Sequence, residues 1–98
     1  MKADGWTFLS NHGHVLVCLA RDPEVRMRDV AEAVGITERA VQQIIRDLVD
    51  GGYVEKEKLG RRNRYRVVTS STFRHELEAD VSLGAFVELV LAGPDRAP

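Results

Sequence analysis

Between Lys56 and Arg66 the chain carries six cations, Lys56, Lys58, Arg61, Arg62, Arg64 and Arg66, against the single acid Glu57, a local balance of +5. Cations at that density neutralise phosphates, and arginines on a narrow projection also fit a minor groove. The plain alternative is a solvated hairpin kept soluble by its charge. A second group lies upstream. Glu38, Arg39, Gln42, Gln43 and Arg46 recur at spacings that place them on one side of a helix. Their side chains match base edges: an arginine fork suits guanine, a glutamine amide bonds adenine through two atoms, and a glutamate accepts from cytosine. Glu38 also stands where the helix macrodipole favours an anion. The plain alternative is an ordinary exposed helix face, whereas a leucine-rich face would point to protein contact.

Both groups need a frame. Asn11 to Asp22 reads as a first helix, capped by Ser10 or Asn11, with Val15, Leu16, Leu19 and Ala20 as its apolar face. Asp22-Pro23 stops it. Met27 begins a short link, and Asp29 to Val34 reads as a short second helix that Gly35 ends. Thr37 is placed as the N-cap of a third helix running to about Asp50, whose inner stripe is Ala40, Val41, Ile44, Ile45 and Leu48. From Tyr53 the period changes to two. Val54, Lys56 and Lys58 point one way and Tyr53, Glu55 and Glu57 the other; after Gly60-Arg61-Arg62-Asn63 the alternation resumes, with Tyr65 and Val67 opposite Arg64 and Arg66. A last helix, capped by Ser70, Ser71 or Thr72, is expected from Phe73 to Leu91, stopped by Gly93-Pro94 and followed by a loose tail.

Ninety-eight residues, 44% of them apolar and 30% charged, suit one compact domain without a disulfide. The single cysteine, Cys18, excludes an intrachain disulfide and a cysteine zinc cluster. The longest apolar run, Val15 to Ala20, falls far short of the ~20 residues of a membrane span. No signal-peptide core follows Met1-Lys2-Ala3-Asp4, so a soluble cytoplasmic protein is expected, with no membrane partner. The formal charge of −1 argues against a nucleic-acid partner until its distribution is considered. Phe73 to Pro98 holds Arg74 and Arg96 against Glu76, Glu78, Asp80, Glu88 and Asp95, a balance of −3. An acidic end thus masks the basic segment.

Helix, short helix, three-residue glycine turn, longer helix and basic hairpin is the order of a winged helix-turn-helix, whose second helix enters the major groove. Arg28-Asp29-Val30-Ala31-Glu32-Ala33-Val34-Gly35-Ile36-Thr37-Glu38-Arg39-Ala40-Val41, Leu48 through Gly52-Tyr53-Val54, and Gly60-Arg61-Arg62-Asn63-Arg64-Tyr65 carry a resemblance. In these blocks the chain resembles winged-helix transcriptional regulators of the MarR and ArsR type, and most of all their small actinobacterial members. The likeness covers about Thr7 to Val67 well and the C-terminal helix loosely. It implies that the third helix is the recognition helix and the hairpin the wing. The DNA-binding set is then Thr37, Glu38, Arg39, Gln42, Gln43, Arg46, Lys58, Arg61, Arg62, Asn63 and Arg64. The chain lacks the long extra helices of larger MarR proteins and the cysteine pairs of metal-sensing ArsR proteins.

Other residues invite plainer readings. His12 and His14 are two apart on a helix and diverge, so neither they nor His75 beside Glu76 and Glu78 make a supported metal site. Cys18 reads as a small core residue, and Trp6 and Phe8 as packing anchors. No Ser/His/Asp order, phosphate loop or His-Glu-x-x-His pattern is present, so neither catalysis nor a cofactor is expected. Leu83, Phe86, Val87 and Val90 form an apolar stripe that either folds back on the first helix or pairs two copies; the resemblance favours a homodimer, which would present two recognition helices to two half-sites. The sequence therefore predicts a mainly α protein with a small sheet of two or three strands. Residues 1–68 form a winged helix-turn-helix, 69–92 a C-terminal dimerisation helix and 93–98 the tail. Sequence-specific transcriptional regulation on double-stranded DNA is the function expected. The competing functions are a winged helix used for protein contact and an effector-sensing repressor with a pocket at the dimer interface.

Overall fold

The computed structural model describes residues 5–92; the expected Gly93-Pro94 stop and the 93–98 tail lie outside them. The elements are α1 (Asn11–Arg21), α2 (Met27–Val34), α3 (Glu38–Asp50), β1 (Val54–Leu59), β2 (Arg62–Val67), a single 3-10 turn (Glu76–Glu78) and α4 (Leu83–Leu91). Ser10 caps α1, its side chain accepting from the Gly13 N–H. The helix ends as Pro23 forces Asp22 into an extended conformation, and the Asp22 carboxylate then accepts from the Glu24 N–H at 3.1 Å. α2 starts two residues earlier than the sequence predicts. Arg26 caps it with no side-chain hydrogen bond, so no local signal marks the start. Met27, expected to open a link, is instead the first helical residue and packs against the core.

Gly35 ends α2 at φ 88°, in the left-handed region where an L side chain is strained. Its N–H and that of Ile36 both return to the Ala31 carbonyl, so the chain reverses within three residues. Thr37 then caps α3 by accepting from the Ala40 N–H at 3.0 Å. The core gathers Val15, Leu16 and Leu19 of α1, Val30 and Ala31 of α2, Val41, Ile44, Ile45 and Leu48 of α3, Val54 and Tyr65 of the hairpin, and Leu83 of α4. No charged or polar residue is buried among the described residues.

β1 and β2 form one antiparallel two-stranded sheet. Its turn is shorter than the expected four residues: Leu59 pairs with Arg62, leaving only Gly60 and Arg61 in the loop. Arg62 and Asn63 therefore belong to β2. On its other edge β2 donates the Tyr65 N–H to the Pro23 carbonyl at 2.8 Å, which ties the hairpin to the end of α1.

The C-terminal part departs most from expectation. In place of one helix from Phe73 to Leu91, the chain forms an isolated bridge between Thr72 and Ser82, the 3-10 turn, and only then α4, capped by Ser82. The Leu83 N–H reaches the Ser71 carbonyl and the Gly84 N–H the Thr69 carbonyl. These bonds fold residues 69–84 back on themselves, which a continuous helix cannot do. A Cβ on Gly84 would lie 3.0 Å from the Thr69 Cβ and 3.1 Å from its carbonyl oxygen, so a larger residue fits only if Thr69 gives way by a few tenths of an ångström. Trp6 and Phe8 are also not the packing anchors expected: they lie 78% and 93% exposed, stacked edge-to-face on each other rather than on the core.

Gly35→Ala isolates the backbone requirement of the helix turn, because no atom lies within 4 Å of the added Cβ. The substitution should destabilise the fold by about 1–2 kcal/mol. In urea the midpoint should fall while the denaturant slope stays unchanged.

Candidate nucleic-acid interface

Burial of the α3 inner stripe turns Glu38, Arg39, Gln42, Gln43 and Arg46 outward, and all five are exposed. They do not all present free side chains. Arg46 donates to Gln43 Oε1 at 2.9 Å, Gln43 Nε2 donates to Asp47 Oδ1 at 3.1 Å, and Asp47 Oδ2 lies 2.8 Å from Nε2 of His12 on α1. Glu38, Arg39 and Gln42 have no such partners among the described residues. Thr37 spends its hydroxyl on the helix cap, so its part in the surface is to fix where α3 begins.

The hairpin register divides the basic cluster between two faces. Directly paired residues share a face, so Lys56, Lys58 and Asn63 stand with Val54, Tyr65 and Val67, while Arg62, Arg64 and Arg66 stand with Glu55, Glu57 and Leu59. Arg61 occupies the turn. On the first face, Lys56, Asn63 and Tyr65 join Met27, Gln42, Ile45 and Arg46 around an open cavity of about 270 Å³. There the outer face of α3 and the wing meet. On the second face, Arg66 forms an ion pair with Glu55, Arg64 lies opposite Glu57, and Arg62 donates to the Glu24 carbonyl at 3.1 Å. Arg66 and Arg62 thus engage their guanidinium heads, whereas Arg64 has no hydrogen bond or ion pair among the described residues.

Sequence reasoning missed His12, Asp47 and Lys56 as members of this surface. Asp47 follows Gln43 by four residues, a spacing that signals contact on a helix. Nothing local signals His12, which lies 35 positions away. Lys56 was counted in the basic segment, but its place beside Gln42 depends on how the hairpin packs. Among the expected dimer residues, Leu83 is buried and Phe86 and Val87 pack against the chain's own core. Phe86 does so edge-to-face on Phe73. Only Val90 stands apart from the core cluster, half-buried. Cys18 packs as the sequence predicts, and its burial raises the thiol pKa, with Arg21 pulling the other way.

A short helix, a glycine turn, a second helix lying across it and a hairpin at its side define a winged helix-turn-helix. Residues 10–55 match a protein-family model described as winged helix-turn-helix DNA-binding; the matched stretch runs from the α1 cap to the start of β1 and supports a DNA-binding regulator. No curated protein matches the chain. No helix among the described residues is long and apolar enough to cross a membrane.

The hydrogen bond from His12, and after it that from Gln43, holds the Asp47 carboxyl below its ordinary pKa. A carboxyl depressed in the folded state stabilises above its unfolded pKa and loses that contribution as pH falls through the folded value. His12→Ala should raise the Asp47 value toward the ordinary range, as read by carboxyl-carbon NMR. The stability difference between the unmodified protein and this variant should be present above about pH 4 and close below it.

Proposed function

We propose that the chain is a sequence-specific transcriptional regulator of the MarR or ArsR type. It reads double-stranded DNA with α3 in the major groove and rests the β1–β2 hairpin on the backbone or in the minor groove. One observation carries the reading: Gln42 and Arg46 of α3 share a cavity with Lys56 and Asn63 of the wing. Groups suited to base edges therefore border groups suited to phosphates, as recognition of sequence and anchoring of the backbone both require. Arg39 and Gln42, outward and unengaged, read bases, while Lys58, Arg61, Arg62 and Arg64 supply affinity. The regulator works in the cytoplasm and is not an enzyme.

Replacing Arg61, Arg62 and Arg64 together with Ala should weaken binding to every duplex alike and reduce the slope of log K against log salt by up to ~3. Fluorescence anisotropy at several salt concentrations measures this, and an unchanged slope would remove the wing as an anchor. Gln42→Ala should cost ~1–3 kcal/mol on the preferred site and leave unrelated DNA untouched. Equal losses on both would put Gln42 on the backbone and take the reading role away from it.

We also propose a homodimer that pairs through the outer side of α4, next to Val90, where Leu89 is 75% exposed. A pair of recognition helices addresses two half-sites. Sedimentation should show a dimer at micromolar concentration. Leu89→Glu with Val90→Glu should give a folded monomer, since charge placed in a dry contact is costly. A monomeric unmodified protein would end the idea.

A further inference from the structure

Three hydrogen bonds join the outer face of α3 to the first turn of α1 in one unbroken chain: Arg46 to Gln43, Gln43 to Asp47, and Asp47 to His12. We propose that Asp47, held by His12, is a positioning residue for base recognition, orienting the Gln43 amide and through it the Arg46 guanidinium. This rests on the reading of α3 as the helix that meets the bases.

A glutamine amide is nearly symmetric in shape but not in chemistry. One end only accepts and the other only donates, and an adenine edge demands them in a set order. The two neighbours of Gln43 impose that order. An ionised carboxylate only accepts, so the amide group facing Asp47 is Nε2; a guanidinium only donates, so the group facing Arg46 is Oε1. Each end still has capacity left, one hydrogen on Nε2 and one lone pair on Oε1. Asp47 is itself fixed because each of its oxygens has a partner, one on its own helix and one on α1. Without His12 it would be an exposed carboxylate on a helix surface, free to change rotamer.

The charge of Asp47 separates this role from a contribution to affinity. An anion beside a phosphate-binding surface weakens binding to any DNA. If Asp47 acts by orienting Gln43, its removal must lower discrimination and at the same time hold or raise affinity for unrelated DNA. A carboxylate that merely fastened α1 to α3 would, when removed, weaken both kinds of binding together.

The experiment uses the full chain, a preferred site selected from a random duplex pool, and an unrelated duplex, titrated at one salt concentration. Asp47→Ala should reduce the ratio of the two affinities about tenfold, from the loss of part of a bidentate contact, while binding to the unrelated duplex holds or strengthens. His12→Ala should reduce the ratio less. Asp47→Asn keeps an oxygen toward Gln43 and should restore most of it. In the DNA-free protein, the two side-chain amide protons of Gln43 should lose their dispersed shifts in Asp47→Ala and keep them in Asp47→Asn, a readout that needs no DNA. A ratio unchanged in Asp47→Ala, or equal losses on both duplexes, overturns the inference and leaves the DNA-reading role of α3 standing. An unmodified protein that selects no site overturns that role and the inference with it.

Discussion

The inward stripe of α3 is the constraint on which the remaining surface depends. Val41, Ile44, Ile45 and Leu48 are buried against the other elements, and each such side chain contributes about 1.5–3 kcal/mol when taken from water. A helix turns by about 100° per residue, so seating these four also sets the direction of Arg39, Gln42, Gln43 and Arg46. The polar contacts on the outer face are made by exposed groups, where water competes for the same donors and acceptors. They cannot rotate the helix against its core. Their effect is confined to how side chains stand on a helix whose orientation burial has already decided.

The same separation of scales governs charge. Charges in 0.1 M salt are screened over ~10 Å, so a phosphate responds most to the charges nearest it. From Lys56 to Arg66 those charges are six cations against Glu57, whereas the formal charge of −1 is a sum over the whole chain. Within the hairpin, Glu55 and Glu57 stand opposite Arg66 and Arg64 on the same face. Cross-strand pairs of this kind contribute roughly 0.2–1 kcal/mol and hold the strands in register, while the hairpin remains strongly basic. The acids there serve the fold of the wing at a small expense to its potential.

What was legible in the sequence is what neighbouring residues decide. Ser10 and Thr37 precede apolar stripes of helical period, Gly35 follows one, and the alternation from Val54 to Val67 sets which strand residues share a face; each of these is a short-range code. The fold and the outward residues of α3 follow from them. What was not legible depends on residues far apart. Met27 is helical because the core receives it, not because a cap precedes it. The stretch from Phe73 to Ser82 has an apolar pattern compatible with helix, yet the Thr69 and Ser71 carbonyls capture the N–H groups of Gly84 and Leu83. Trp6 and Phe8 have the composition of anchors, but their nearest aromatic partner is each other. The pairing of His12 with Asp47 exists only after α1 and α3 dock.

α4 shows how a short apolar helix presents two unlike sides. Leu83 is 2% exposed and completes the core, whereas Leu89 is 75% exposed. Six residues separate them, about 240° around the helix axis, so one apolar helix has an inward and an outward side rather than a single stripe. The Leu83 and Gly84 N–H groups bond the Ser71 and Thr69 carbonyls, which seats the first turn of α4 on the rest of the chain. Burial therefore draws on one side of this nine-residue helix and leaves the other to solvent. A substitution at Leu83 acts on the core, one at Leu89 on whatever meets the surface, and neither side chain has to serve both roles.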